Sequence, residues 1–238
     1  MEIKLDSHCH TLASCHAYST ILENAKAASD AGLELLAITD HAPCMDDAPH
    51  LVHFLNYGCL DKSLFGVEML YGVEADMIDF NGNVSMAQSV LETMDIGIVS
   101  WHTVVFSAGS KAENTRAYLQ AMQRRGVTII GHPEDARIPV DFDALAKEAK
   151  KTGVLIELNN ASQKRGNLRQ NAKENATLLL EACQKHGTKI VLGSDAHFAN
   201  SVGDMGLAMA LVEETAFPHE LIINGDVAGF RAIVEQRK

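Results

Sequence analysis

A chain of 238 residues, 47% hydrophobic and 21% charged, can bury a sizeable core, which argues against disorder and suits one α/β domain spanning residues 1–238. The formal charge of −11 and pI near 5.4 argue against a basic surface that would bind nucleic-acid backbone nonspecifically, although bound divalent metals would still admit a small anionic substrate. Five cysteines without a CxxC pair read as reduced thiols, and neither a secretion signal nor a membrane span is evident, so a cytoplasmic protein is expected.

Short β-type runs are predicted at Ile3–His8, Leu35–Thr39, Glu68–Glu74, Ile96–His102, Val127–His132, Val154–Asn159 and Ile190–Ser194. Between or after them, apolar residues fall at helical spacing over Ser19–Ala31, Val84–Met94, Lys111–Arg125, Asp141–Lys151, Leu168–His186 and Met205–Thr215. Gly32, Gly126, Gly153 and Gly187 each stand between a helix and the next strand, where C-terminal caps belong. Ala42–Ser63 is the least regular stretch and reads as a long loop able to cover the site. Strand and helix alternating throughout imply parallel strands with helical crossovers.

Potential metal ligands stand at the carboxyl ends of most of these strands: His8, His10 and His16, then His41, Glu74, His102, His132, Asp195 and His197. Only a closed or nearly closed barrel brings so many strand ends to one rim. Burying so many imidazoles there without metal would leave costly unsatisfied groups. On a strand, Asp6, His8 and His10 share a face, which makes Asp6 a candidate to orient a ligating imidazole. Cys9 and Cys15 read as packing residues, and Trp101 is expected to point away from the ligands into the barrel–helix interface. Asp46, Asp47, His50 and His53 read as a solvated lid.

The runs DSHCHT with His16 six residues later, TDH at Thr39–His41, GVE at Gly72–Glu74, SWH at Ser100–His102, GHP at Gly131–Pro133 and GSDAH at Gly193–His197 resemble the PHP (polymerase and histidinol phosphatase) superfamily. In order, spacing and coverage they are most similar to the stand-alone YcdX-type phosphatases. The resemblance implies a distorted seven-stranded (β/α)7 TIM-like barrel with a trinuclear metal site at the C-terminal rim, usually zinc. It further implies that His8, His10, Glu74 and Asp195 hold one ion, that Glu74, His102 and His132 hold a second, and that His16, His41 and His197 hold a third.

Nine ligand residues with one bridging carboxylate leave open coordination positions, as catalytic sites do, and N/O donors suit Zn²⁺, Mn²⁺ or Fe²⁺. Such ions activate water and hold phosphoryl oxygens, so the expected activity is hydrolysis of a small phosphomonoester, with Glu74 and Asp195 in the machinery. Lys164, Arg165 and Arg169 follow the sixth predicted strand, and Arg165 is the preferred phosphate contact, with Arg137 competing. A phosphodiesterase or exonuclease, a noncatalytic metal-braced module and an amidohydrolase are the alternatives; no strand-four lysine suits the last. Nucleic acid and membrane are not expected partners, and the oligomeric state is open.

Overall fold

The computed structural model describes residues 1–46 and 48–238. Seven parallel strands, β1 (Leu5–Asp6), β2 (Leu35–Ile38), β4 (Val67–Asp76), β5 (Ile96–Ser100), β6 (Ile129–Ile130), β7 (Leu155–Asn159) and β8 (Ile190–Gly193), follow one another around the sheet in chain order, and β3 (Ser63–Leu64) is an antiparallel flap on β4. Among the described residues, eight helices accompany them: α1 (Ile21–Asp30), α2 (Leu51–Leu55), α3 (Gln88–Leu91), α4 (Lys111–Ala121), α5 (Phe142–Thr152), α6 (Ala172–His186), α7 (Gly206–Glu214) and α8 (Val227–Arg237). This is the expected distorted (β/α)7 barrel.

The distortion lies at the seam between β1 and β8. Direct backbone pairing there is confined to the rim, where Asp195 N donates to His8 O and His10 N to Ala196 O. Below, side chains replace the missing ladder, because buried peptide groups must find partners. Asn224 accepts from Leu192 N and donates to Leu5 O and Leu192 O, while the Asp6 carboxylate accepts from His8 N, Ser194 N and Gly203 N. Asp6 therefore closes the seam and orients no imidazole, contrary to the parity expectation; the strand is regular for only two residues, so the alternation of faces does not carry through to His8.

Period-two alternation sorts the other strands. Leu35 and Ala37, Leu70, Ile96 and Ile98, Leu155 and Val191 fill the barrel interior, closed at the bottom by Ile223, Phe230 and Val234, and the alternate residues pack outward against the helices. Carrying the same parity up each strand brings Glu74, Ser100, Glu157 and Asn159 to the upper interior. Trp101 packs outward as expected, its indole stacked on Phe106 with Nε1 donating to Phe106 O.

Departures from the predicted helices have local causes. The helix expected over Val84–Met94 shrinks to Gln88–Leu91 because Val84 and Ser85 pair back onto Met77 and Asp76. The helix expected from Leu168 starts at Ala172, since 168–171 are turned to carry Arg169 inward. Helices α2 and α8 and strand β3 lie outside the predicted elements, with α2 inside the irregular stretch Ala42–Ser63.

Candidate metal centre

His8 and His10 enter from the end of β1, His41 from just past β2, Glu74 from inside β4, His102 from just past β5, His132 after β6, and Asp195 and His197 after β8. His132 and Asp195 reach inward through backbone in the left-handed region, with φ of 28° and 52°; two of the five non-glycine residues so placed among the described residues thus belong to this cluster. Gly193 is required beside them, because a Cβ there would overlap Glu157 Oε1.

Four donors form a compact group. His8 Nε2 and His10 Nε2 lie 3.1 Å apart, each is 3.5 Å from Glu74 Oε2, and Asp195 Oδ1 lies 3.7 and 3.3 Å from them. Ligand bonds of 2.0–2.2 Å in a tetrahedron give edges of about 3.4 Å, so this spacing suits a first-row divalent ion. Glu74 Oε1 is 2.9 Å from His132 Nε2 and 3.7 Å from His102 Nε2. His16 Nε2 and His197 Nε2 are 3.0 Å apart, and the His41 ring lies against His16. His10, His41 and His197 also form a close group, as do His41, Glu74 and His102. His41 Nδ1 and Glu74 Oε2 are buried 2.8 Å apart yet out of hydrogen-bond alignment, as expected of two donors aimed at a cation rather than at each other. The donor set therefore fits divalent metal.

Buried acids hold the imidazoles from behind. Glu157 Oε1 is 2.7 Å from His8 Nδ1, and Asp76 Oδ1 is 2.6 Å from His102 Nδ1; each leaves Nε2 facing the cluster. Burial alone would lower the His8 pKa, but Glu157, Glu74 and Asp195 carry it well above the usual value. Burial would likewise raise Glu74, yet His8, His41 and His102 hold its carboxyl well below the usual range. Burial, with His197 and His41 alongside, depresses His10 well below the usual value and favours the neutral imidazole that binds metal. Asp40 accepts from Thr11 N, Thr11 Oγ1 and Ser14 Oγ, fixing the loop that carries His10 and His16.

Glu157, Asp76 and Asp40 escaped the sequence reading, though signals existed. Glu157 is a lone acid inside the apolar run LIELN, and Asp76 stands two residues beyond Glu74 on the same face.

Above the cluster lies a cleft of about 830 Å³, lined among others by His16, His41, His102, Asp195 and His197. Arg169 reaches its wall: Nη2 donates to Asp195 Oδ2 at 3.0 Å, and Nη1 donates to Asn159 Oδ1 and Ser162 Oγ. Arg165 stands exposed on the turn and does not line the cleft, because the turn through Gly166 directs Arg169 inward instead. Arg137 lines the cleft but its guanidinium is engaged with both oxygens of Asp135. Of the expected lid residues, Asp46 lines the cleft, His53 lies 3.6 Å from Asp40, and Asp47 is outside the described residues. Cys15 is exposed rather than packed, whereas Cys9 is buried in the outer core.

Glu134 is fully buried beside this wall, with neither carboxylate oxygen in an aligned hydrogen bond among the described residues. Burial pushes it up to about 7, against the pull of Arg169 and Ser162. An acid whose folded pKa is raised binds its proton more tightly in the fold, so its contribution to stability declines as pH rises from the unfolded value near 4.5 to about 7. Glu134→Gln removes this dependence. Relative to the parent at pH 8 it is expected to gain on the order of 3 kcal/mol in denaturant unfolding, with little gain at pH 4. Equal gains at both pH values would refute the assignment.

The sequence matches the PHP domain family over residues 6–235. A probable phosphatase of Clostridium novyi is 40% identical over 226 residues, 95% of this chain and 92% of that protein. Another, of Acetivibrio thermocellus, is 38% identical over 238 residues, covering 100% and 98%. The solved histidinol phosphate phosphatase of Lactococcus lactis, in complex with zinc, L-histidinol and phosphate, superposes with a TM-score of 0.61 at 16% identity over 90% of this chain and 94% of that one, a likeness of fold. By sequence match across nearly its whole length, and with the family's barrel and histidine-rich rim in place, this chain belongs to the PHP domain family.

Proposed function

We propose that this protein is a metal-dependent phosphatase acting on small phosphomonoesters at a trinuclear site, with zinc as the preferred ion and Mn²⁺ or Fe²⁺ able to share the ligands. The observation that carries the proposal is Glu74, whose two oxygens divide between His132 and His102 on one side and His8, His10 and His41 on the other. His8, His10, Glu74 and Asp195 are assigned to one ion, Glu74, His102 and His132 to a second, and His16, His41 and His197 to a third. The phosphatase names of the curated relatives support the reaction class, and the zinc in the structural neighbour supports the ion.

Divalent ions in such a centre supply Lewis-acid charge and lower the pKa of water. The chain's own residues do the positioning. Asp195 turns Oδ1 to His8 and His10 while Oδ2 accepts from Asn159 and Arg169, so one carboxylate ties the ligand cluster to the cationic wall. Arg169 is braced from behind by Asn159 and Ser162, which holds its planar guanidinium at the cleft where phosphoryl oxygens would meet it. We therefore assign to Arg169 the phosphate contact expected of Arg165. The partner is a small phosphorylated molecule. No helix among the described residues is long and apolar enough to cross a membrane.

Elemental analysis of the purified protein is expected to give three divalent ions per chain, and chelation should remove activity that added metal restores. A single ion at saturating metal would overturn the trinuclear assignment. In a substrate panel, monoesters are expected to outrun diesters and single-stranded DNA ends; the reverse order would move the reading to a phosphodiesterase.

A further inference from the structure

The two most exposed large apolar side chains among the described residues are Val104 and Leu168, each 84% exposed, ahead of Tyr18 at 69%. Isolated exposed apolar residues are ordinary and need no explanation. These two, however, come from separate loops and line the same cleft, joined there by Met45 and Val105. Val104 stands two residues after His102, and Leu168 immediately precedes Arg169. The cleft thus combines donors for metal and Arg169 with the hydrocarbon of Met45, Val104, Val105 and Leu168, alongside the polar Asp46, Thr103 and Asn167.

Resting on the phosphatase reading, we infer that the substrate's organic group is apolar, an alkyl or aryl body that lies against Leu168 and Val104 while its phosphate faces the metal ligands and Arg169. A cleft of about 830 Å³ has room for such a body beyond the phosphate. A polyol or sugar phosphate lying against Leu168 and Val104 would fit less well, since hydroxyls placed there would give up water against side chains that return no hydrogen bond. Covering these residues with hydrocarbon removes apolar surface from water on both partners.

The test uses ethyl and hexyl phosphate, whose leaving alcohols are alike in acidity, so that a difference in kcat/KM reports contact with the chain rather than chemistry. The fully metal-loaded protein is expected to favour hexyl phosphate by about tenfold or more. The Leu168→Ser and Val104→Ser variants, checked for unchanged metal content, should each narrow that ratio severalfold, and the double variant should bring it near one. Binding of hexyl- and ethylphosphonate, measured by calorimetry, should follow the same order without any turnover. Hydrolysis of both esters at equal efficiency, or a preference that survives in the double variant, would overturn the inference and leave the phosphatase reading standing. No hydrolysis of any monoester by metal-loaded protein would instead remove the phosphatase reading, and the inference with it.

Discussion

Glu74→Gln is expected to cost more activity than any other single isosteric change in the cluster, because five imidazole nitrogens lie within 2.8–3.7 Å of this one carboxylate. An amide presents one acceptor oxygen in place of two and carries no charge, so it could not offset the mutual repulsion of the neighbouring dications proposed for this centre. Changes to groups that only orient metal ligands typically cost roughly 10–100-fold, and removal of a bridge should exceed that in both metal affinity and kcat/KM. Metal content after dialysis and turnover with metal restored are the two readouts. The parent's stoichiometry with full turnover in Glu74→Gln would show that the carboxylate bridges nothing. If Glu157→Gln, which disturbs the hydrogen bond behind His8 and those that Glu157 Oε2 accepts from His132 N and Asn159 Nδ2, lost more than Glu74→Gln, the order of importance argued from the distances would be inverted.

Strand order and rim were legible because their causes are local. Apolar runs of four or five residues separated by amphipathic stretches leave little besides parallel strands and crossovers, and a ligand at the end of nearly every run has to face the same rim. The metal-ligand candidates were all legible as residues, and the structure brings them together. What escaped the sequence depends on nonlocal contact. Asp6 looks like a partner for His8 by alternation, but the seam beside β8 leaves backbone donors without a ladder, and the carboxylate is used there. Glu157 becomes a partner of His8 only because β7 and β1 meet across the barrel, 149 positions apart in the chain. The plug made by α8 carries no signal beyond weak amphipathicity, since its role is to fill the space under the barrel with Phe230 and Val234.

The loop after β7 is the clearest case, and it sets the second large effect. Lys164, Arg165 and Arg169 form one basic cluster in the sequence, where Arg165 is the preferred phosphate contact; three acceptors, Asn159 Oδ1, Ser162 Oγ and Asp195 Oδ2, single out Arg169 instead. Lysine at this position keeps one positive charge but has no planar fork, so it cannot satisfy these acceptors and still present paired N–H groups to a phosphate. Arg169→Lys is therefore expected to lower kcat/KM for phosphomonoesters by roughly 100-fold, the scale of a displaced positioning group. Because Asp195 retains a cation within reach, metal content should hold. The exposed Arg165 has no such anchoring, and Arg165→Lys should remain within about twofold of the parent, as surface substitutions away from a site do. Steady-state kinetics of the two variants side by side, with metal analysis of each, decide between the two arginines. A large loss in Arg165→Lys with little in Arg169→Lys would mean that the turn rearranges over bound substrate and that Arg169 serves only to hold Asp195.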